Sequence, residues 1–285
     1  MIEVVRPGLL TTVQDRGRVG YAHLGVPRAG ALDPPALLAA NRLVGNPDEA
    51  AGLETTLNGV GLRTEVATTL AVTGAPARVT VDGEEVGFGE AVTVPAGAAV
   101  DIGSAVVGVR SYVAFAGGVT VTPVLGSRST DTLSGLGPPP LRAGFVLPIG
   151  RSSGAVELPD GRVAVDPRTG GPIELRLRLG PRHDWFPTAA RDALFAGPYA
   201  LSVKSNRVGA RLNGPELRRS TAGELPSEGI VLGAVQVPGD GQPLIFLADH
   251  PTTGGYPVIG VVETADLALL GQARPGTAVT FVAWT

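Results

Sequence analysis

Backbone breakers limit what this chain can fold into. Forty-one glycines and 25 prolines among 285 residues leave no apolar run long before one of them interrupts it. Proline removes a backbone donor and glycine supplies positive φ, so both punctuate strands and turns more readily than they sit inside helices. Here they separate short β-branched runs, the pattern of an all-β fold. Residues 78–103, RVTVDGEEVGFGEAVTVPAGAAVDIG, are the clearest case. Val79, Val81 and Val86 alternate with polar residues, and Asp82-Gly83 supplies the positive-φ turn of a tight hairpin. Pro95-Ala96-Gly97 turns the chain into a further strand, and Glu84-Glu85 reads as a solvated tip. Residues 107–119 and 242–249 read as buried strands.

Few helices are expected. The best opens at Asp33, whose carboxylate can accept the free amide hydrogens of a first turn. Pro34 suits the first helical position, and Gly45 can take the left-handed conformation that ends the helix. Residues 188–195 and 264–272 are weaker candidates.

A faint internal echo points to two halves. VPAGAAVDI at 94–102 resembles RPGTAVTFV at 274–282, and IEVVRPG near the start resembles IELRLRLGP at 173–181. Between them, LPDGRVAVDPRTGGP at 158–172 has the composition of a linker. The reading is therefore mainly β, with one domain over 1–165 and a second over 166–285.

Composition narrows the chemistry. A net charge of -3 with no basic block argues against nucleic acid as a partner. No stretch approaches the roughly 20 apolar residues of a membrane helix, so no membrane is expected. Residues 1–7 carry no secretory signal pattern, and there are no cysteines, which suits the cytoplasm and excludes thiol nucleophiles and disulfides. Lys204 is the one lysine. Val203 stands where a Walker loop needs glycine, and the single methionine, Met1, leaves no biotin-carrier Met-Lys-Met. His23, His183 and His250 lack the helical i, i+4 spacing of a zinc site, and no metal is expected. GRSSG at 150–154 matches the nucleophile-elbow pattern, but Pro159 and Gly161 forbid the helix that must follow, so it reads as a loop.

Four polar stretches remain. QDRGRVGYAHLGVPRAGALD (14–33) packs Gln14, Asp15, Arg16, Arg18 and Arg28 among glycines. GSRSTD (126–131) places hydroxyls, an arginine and a carboxylate just past a strand. SVKSNRVGARLNG (202–214) carries Arg207 and Arg211 four residues apart. TTGGYPVIG (252–260) follows Asp249, with Gln236 upstream. Arginine forks bind planar carboxylates, carbamates or phosphates at two points.

These stretches resemble a known family. The opening GLLTTVQDRGRVGYAHLGVPRAGALDPPALLAANRLVGN looks like that of the family of the 5-oxoprolinase C subunit, allophanate hydrolase subunit 2 and KipA, also called biotin-dependent carboxyltransferase-like. VRSYVAFAGGV, LGSRSTDTLSGLG, GPRHDWF, SNRVGARLNGP, SEGIVLGAVQVPGDGQPLIFLADHPTTGGYPVIG and QARPGTAVTF continue it in order over nearly the whole chain. GLGPPPLRAGF at 135–145 departs from the glycine-rich run with an arginine, followed by Gly-Asp, that the family usually has there.

The resemblance implies two cyclophilin-like β-barrel domains with a few short helices. It also implies a B subunit partner (KipI-like, or allophanate hydrolase subunit 1) in a hetero-oligomer, together with an A subunit. Such a complex opens 5-oxo-L-proline to L-glutamate with ATP, bound mainly by a partner. The alternatives are a carboxyltransferase or allophanate hydrolase subunit of the urea-carboxylase type, with biotin as cofactor, and a KipA-like regulator that binds a kinase inhibitor. Both reactions pass through anionic oxygens that arginines, amides and backbone N–H groups stabilise. The expected site takes Arg128, Arg207 and Asp15 as catalytic groups. It takes Gln14, Arg18, Ser127, Ser129, Arg211, Gln236, Thr252, Thr253, Gly254, Gly255 and Tyr256 as substrate-binding ones, converging on a small, flat, oxygen-rich molecule.

Overall fold

Asp82 and Gly83 adopt φ of 49° and 87°, the paired positive values of a two-residue hairpin turn. They join the strands Ala77–Val81 and Glu84–Val86, where Val79 faces Val86 across the pair. The computed structural model describes residues 1–151, 163–164, 166, 169–221, 223 and 225–284. The GRSSG stretch beyond Arg151 and most of the expected linker lie outside the described residues.

The chain divides into two units. One contains Met1–Arg18, Ala29–Asp131 and Gly135–Thr169; the other contains Val19–Arg28, Thr132–Ser134 and Gly170–Thr285. The architecture is mainly β with few short helices, as the punctuated sequence led us to expect.

In the first unit two antiparallel sheets pack face to face. The six-stranded sheet runs, in spatial order, Val146–Leu147, Ile2–Arg6, Val60–Thr64, Ala99–Ala105, Ala77–Val81 and Glu84–Val86. The five-stranded sheet runs Leu10–Gln14, Gly52–Thr56, Arg110–Phe115, Thr68–Gly74 and Ala91–Val94. Inward residues of both, including Ile2, Val4, Leu62 and Ile102 from one and Val13, Leu53, Leu70 and Phe115 from the other, form one core. Leu10–Gln14 is an edge strand, and an uncovered edge invites mispairing. Thr130 and Leu141 pair along it: Thr130 N–H donates to Val13 O (2.9 Å) and Leu141 N–H to Thr11 O (2.9 Å).

Helix α1 (Pro34–Leu43) starts as read, with the Asp33 carboxylate accepting Ala36 N–H at 3.1 Å. A buried polar cluster fixes its entry. The Tyr112 hydroxyl accepts Asp33 N–H (2.8 Å) and donates to Glu54 (2.8 Å), which also accepts Leu32 N–H (2.9 Å) and meets Arg110 at 3.4 Å. Burial, with the Glu54 charge beside it, raises the Tyr112 phenol well above its ordinary range.

In the second unit seven strands close a barrel: Ile173–Leu179, Val258–Val262, Ala234–Gln236, Leu244–Phe246, Gly209–Asn213, Tyr199–Leu201 and Ala278–Ala283. The seam is a parallel pairing of Ile173–Leu179 with Ala278–Ala283. IELRLRL alternates as a half-buried strand must, with Ile173, Leu175 and Leu177 buried. The outward Arg176 grips Asp266 with two side-chain hydrogen bonds (2.9 and 2.7 Å) and lies over the Trp284 ring. Helices α2 (Thr188–Ala196) and α3 (Leu267–Gln272) fall on the two weaker helical candidates, the second preceded by a 3-10 turn at Thr264–Asp266. Among the described residues no helix is long and apolar enough to cross a membrane.

Tyr199 packs edge-on against Phe281 (5.8 Å), and burial pushes its phenol up from 10.0 to about 12. The folded value lies above the unfolded one, so its stabilising effect is complete below pH 10 and is lost as pH rises toward about 12. Tyr199→Phe keeps the ring and removes the titration. We expect the urea midpoint of the wild type to fall more steeply across that window than that of the variant. Equal slopes in equilibrium unfolding would contradict the assignment.

Candidate functional site

Asp15 follows the edge strand directly, and its carboxylate organises the GSRSTD loop of the same unit. Oδ1 accepts the Ser127 hydroxyl (2.6 Å), the Ser129 hydroxyl (2.6 Å) and Gly17 N–H (2.8 Å). Oδ2 accepts Arg128 N–H at 2.6 Å. In return the Ser129 hydroxyl accepts Asp15 N–H (2.9 Å), and the Ser127 hydroxyl accepts Ser129 N–H (3.0 Å). Charge-assisted bonds of this kind are about twice as strong as neutral ones. Asp15 was expected among the catalytic groups; four donors of its own chain meet its carboxylate, three at Oδ1 and one at Oδ2.

Gln14 and Arg18 extend the anchor. Gln14 Nε2 donates to Thr12 Oγ1 (3.0 Å) and Thr130 O (3.1 Å). The buried Arg18 guanidinium donates to Val124 O (3.2 Å) and to Ser129 O. Gly137, with φ +80°, lies against this group: a Cβ there would stand 2.1 Å from Ser129 O and 2.7 Å from an Arg18 nitrogen. The stretch that departs from the family pattern therefore packs on the predicted site loop.

Arg128 is the exception among these residues. Its Nε donates to Val121 O at 2.9 Å, and its terminal nitrogens have no partner among the described residues. It lines a hollow of about 320 Å³ together with Arg151, Asn46, Glu49 and the turn at Gly117 and Gly118. Sequence reasoning missed Arg151, because GRSSG was weighed for its serines, and it missed Glu49, which belongs to no motif.

The second unit gathers the remaining expected residues. Arg207 is buried and clamps the buried Asp249 through Nε (3.0 Å) and a terminal nitrogen (2.9 Å). Thr132 completes the Asp249 shell with its N–H (2.9 Å) and hydroxyl (2.6 Å). Arg207 was expected to act catalytically beside Arg211. Its guanidinium pairs with Asp249, while Arg211 lies exposed on Gly209–Asn213. The TTGGY stretch is in part a short strand, with Thr253–Gly254 paired to Glu228–Gly229. Gln236 sits behind it: Nε2 donates to Tyr256 O (2.9 Å), and a Cβ on Gly254 would come within 2.9 Å of that nitrogen. Thr252 O and Gly255 O accept Ile230 and Leu225 N–H, which leaves Thr253 and the Tyr256 side chain outermost. The three histidines each set Nδ1 against a local carbonyl, those of Gly20, Gly180 and Pro251.

The family model for the carboxyltransferase domain, subdomain A and B, matches residues 24–283, which takes in the GSRSTD loop, the Arg207 strand and the TTGGY stretch. The chain belongs to this carboxyltransferase family. It is 40% identical to the 5-oxoprolinase C subunit of Escherichia coli, an alignment that covers 99% of this chain and 91% of that protein. It is 35% identical to the urea amidolyase of Saccharomyces cerevisiae over 99% of this chain, which spans only 16% of that enzyme. The crystal structure of K. lactis urea amidolyase superposes with a TM-score of 0.90 at 31% identity, covering 100% of this chain and 19% of that one.

The buried pair yields a stability prediction. Asp249→Asn removes the carboxylate from the buried pair it forms with Arg207 and should cost roughly 3–5 kcal/mol. The double variant Arg207→Met/Asp249→Leu should recover most of that loss. Denaturant midpoints of both proteins check it, and a double variant as unstable as the single one would contradict the ion-pair account.

Proposed function

We propose that this chain is the C-type subunit of an ATP-dependent 5-oxoprolinase complex that opens 5-oxo-L-proline to L-glutamate. The observation that carries this reading is the mutual coverage with the 5-oxoprolinase C subunit, nearly end to end in both proteins. Relatives of the urea amidolyase type carry the same region as a small part of a longer enzyme. ATP would be held mainly by a B-type or A-type partner, consistent with a chain whose single lysine lies in no Walker loop.

Opening the ring breaks an amide C–N bond and passes through an anionic oxygen, which fixed donors stabilise. On this reading Arg128 is a guanidinium with donors to spare that acts by holding and orienting the substrate, and Asp15, Ser127 and Ser129 are positioning residues that hold its backbone. In the second unit taken by itself, Arg207 would hold Asp249 and Gln236 would support the TTGGY stretch, whose Thr253 hydroxyl and Tyr256 ring offer a surface to a flat ligand. Arg211 would act only at the surface. The cytoplasm is the proposed compartment.

A second reading is a carboxyltransferase acting on a urea-type substrate with carboxybiotin supplied by another protein. The family model and the K. lactis superposition favour it. One reconstitution separates the two. The chain is co-expressed with its B- and A-type partners and assayed on 5-oxoproline, urea and allophanate. We expect ATP hydrolysis stimulated by 5-oxoproline, lowered by roughly 10²-fold or more in Arg128→Ala. Dependence on a biotinylated carrier would favour the second reading, and tight pairing without turnover would make the chain a regulator. Wild-type turnover by intact complexes of both Arg128→Ala and Arg207→Ala would refute the proposed site.

A further inference from the structure

The hollow beside Arg128 carries positive charge that has no ion pair among the described residues. Most polar atoms around it are committed. Asn46 donates to Asn41 Oδ1 (3.1 Å) and Phe115 O (2.8 Å) and accepts Gly117 N–H (2.8 Å). Gly118 and Thr120 N–H donate to the Phe115 and Pro148 carbonyls at 2.8 and 2.9 Å. Asp48, next to the lining residue Glu49, is held by Arg42 at 3.0 Å. Three charged groups line the hollow without an ion pair among the described residues: Arg128, Arg151 and Glu49. Arg128 is fixed at two points, its backbone N–H on Asp15 and its Nε on Val121 O, so its free terminal nitrogens are pre-positioned. Arg151 is exposed and makes no polar contact among the described residues.

We propose that this hollow is a carboxylate subsite, with Arg128 as the fixed half and Arg151 as the adjustable half of a two-point grip. Two guanidiniums against one carboxylate leave a single net positive charge, which suits a monoanion rather than a multiply charged phosphate. The volume, about 320 Å³, is at the small end of ligand pockets and suits a compact organic acid. Resting on the 5-oxoprolinase reading, the group held is the carboxylate of 5-oxoproline, the one charge on that molecule. The lactam that reacts would then be oriented by its non-reacting end.

The test is saturable binding of labelled 5-oxoproline by the purified chain and by the assembled complex, with pyrrolidinone (the same lactam without the carboxylate) and inorganic phosphate as competitors. Arg151→Ala, whose side chain makes no polar contact among the described residues, should weaken binding about tenfold. In the complex it should raise KM by a similar factor with kcat little changed. Glu49→Gln should tighten binding by removing a like charge, and pyrrolidinone should not compete.

The proposal is overturned if Arg151→Ala binds like the wild type, if pyrrolidinone or phosphate competes as well as 5-oxoproline itself, or if neither chain nor complex binds. Its fate and that of the functional reading separate cleanly. Arg151-dependent binding without 5-oxoproline-stimulated ATP hydrolysis keeps the subsite and removes the 5-oxoprolinase reading. Turnover with KM unchanged in Arg151→Ala does the reverse.

Discussion

One carboxylate holds the predicted site loop of the first unit in place. Asp15 sits at the end of an edge strand, where the backbone has donors and acceptors to offer and no neighbouring strand to take them. By collecting two hydroxyls and two amides it converts GSRSTD from a floppy polar turn into a rigid cover for that edge. The loop's conformation, the direction of Arg128 and the seating of Gly137 follow from that anchoring. Burial strengthens each of these bonds, because few waters compete for the carboxylate. It also makes the anchor all-or-none, since an incomplete shell around a buried charge is costly.

The arginines divide into committed and uncommitted ones, and that division carries more functional information than their number. Arg207 on Asp249 and Arg176 on Asp266 form bidentate pairs whose geometry matches the guanidinium fork to a carboxylate. Arg110 meets Glu54 within the cluster that fixes the entry to α1. These charges meet carboxylates inside their own unit. Arg128 differs in that its side-chain bond among the described residues uses Nε and a neutral carbonyl, which sets direction without cancelling charge. Motif spacing could not make this distinction, because Arg128 and Arg207 stand in equally polar, glycine-rich surroundings in the sequence.

Much of the fold was legible because it depends on local chemistry. Asp82-Gly83, the Asp33 cap and the alternation of IELRLRL each dictate a conformation within a few residues. What composition and spacing alone left unread depends on distant partners. Val19–Arg28 and Thr132–Ser134 belong with the second unit although the sequence around them reads as part of the first, because membership of a unit is decided by packing rather than by chain order. The site was legible as a set of stretches and not as a set of roles. Asp249 was noted only as a neighbour of the TTGGY stretch, while Thr132, the residue just after GSRSTD, was not singled out at all; Asp249 pairs with Arg207, and Thr132 donates to the same carboxylate. TTGGY was read only as a polar stretch, and its short strand pairing to Glu228–Gly229 arises from a partner more than twenty residues away.

The parallel seam of the barrel has a consequence for how the second unit reaches its native state. Ile173 pairs with Val279, so the first and last strands of the barrel must meet across nearly its whole length of chain. No hairpin can nucleate that contact, and the entropy of joining the two ends is lost before any hydrogen bond of the seam forms. Until the final strand is in place, Ile173–Leu179 and Tyr199–Leu201 both present open edges. The interval between synthesis of the first strand and arrival of the last is therefore the window in which this unit is most exposed to mispairing and to capture by chaperones.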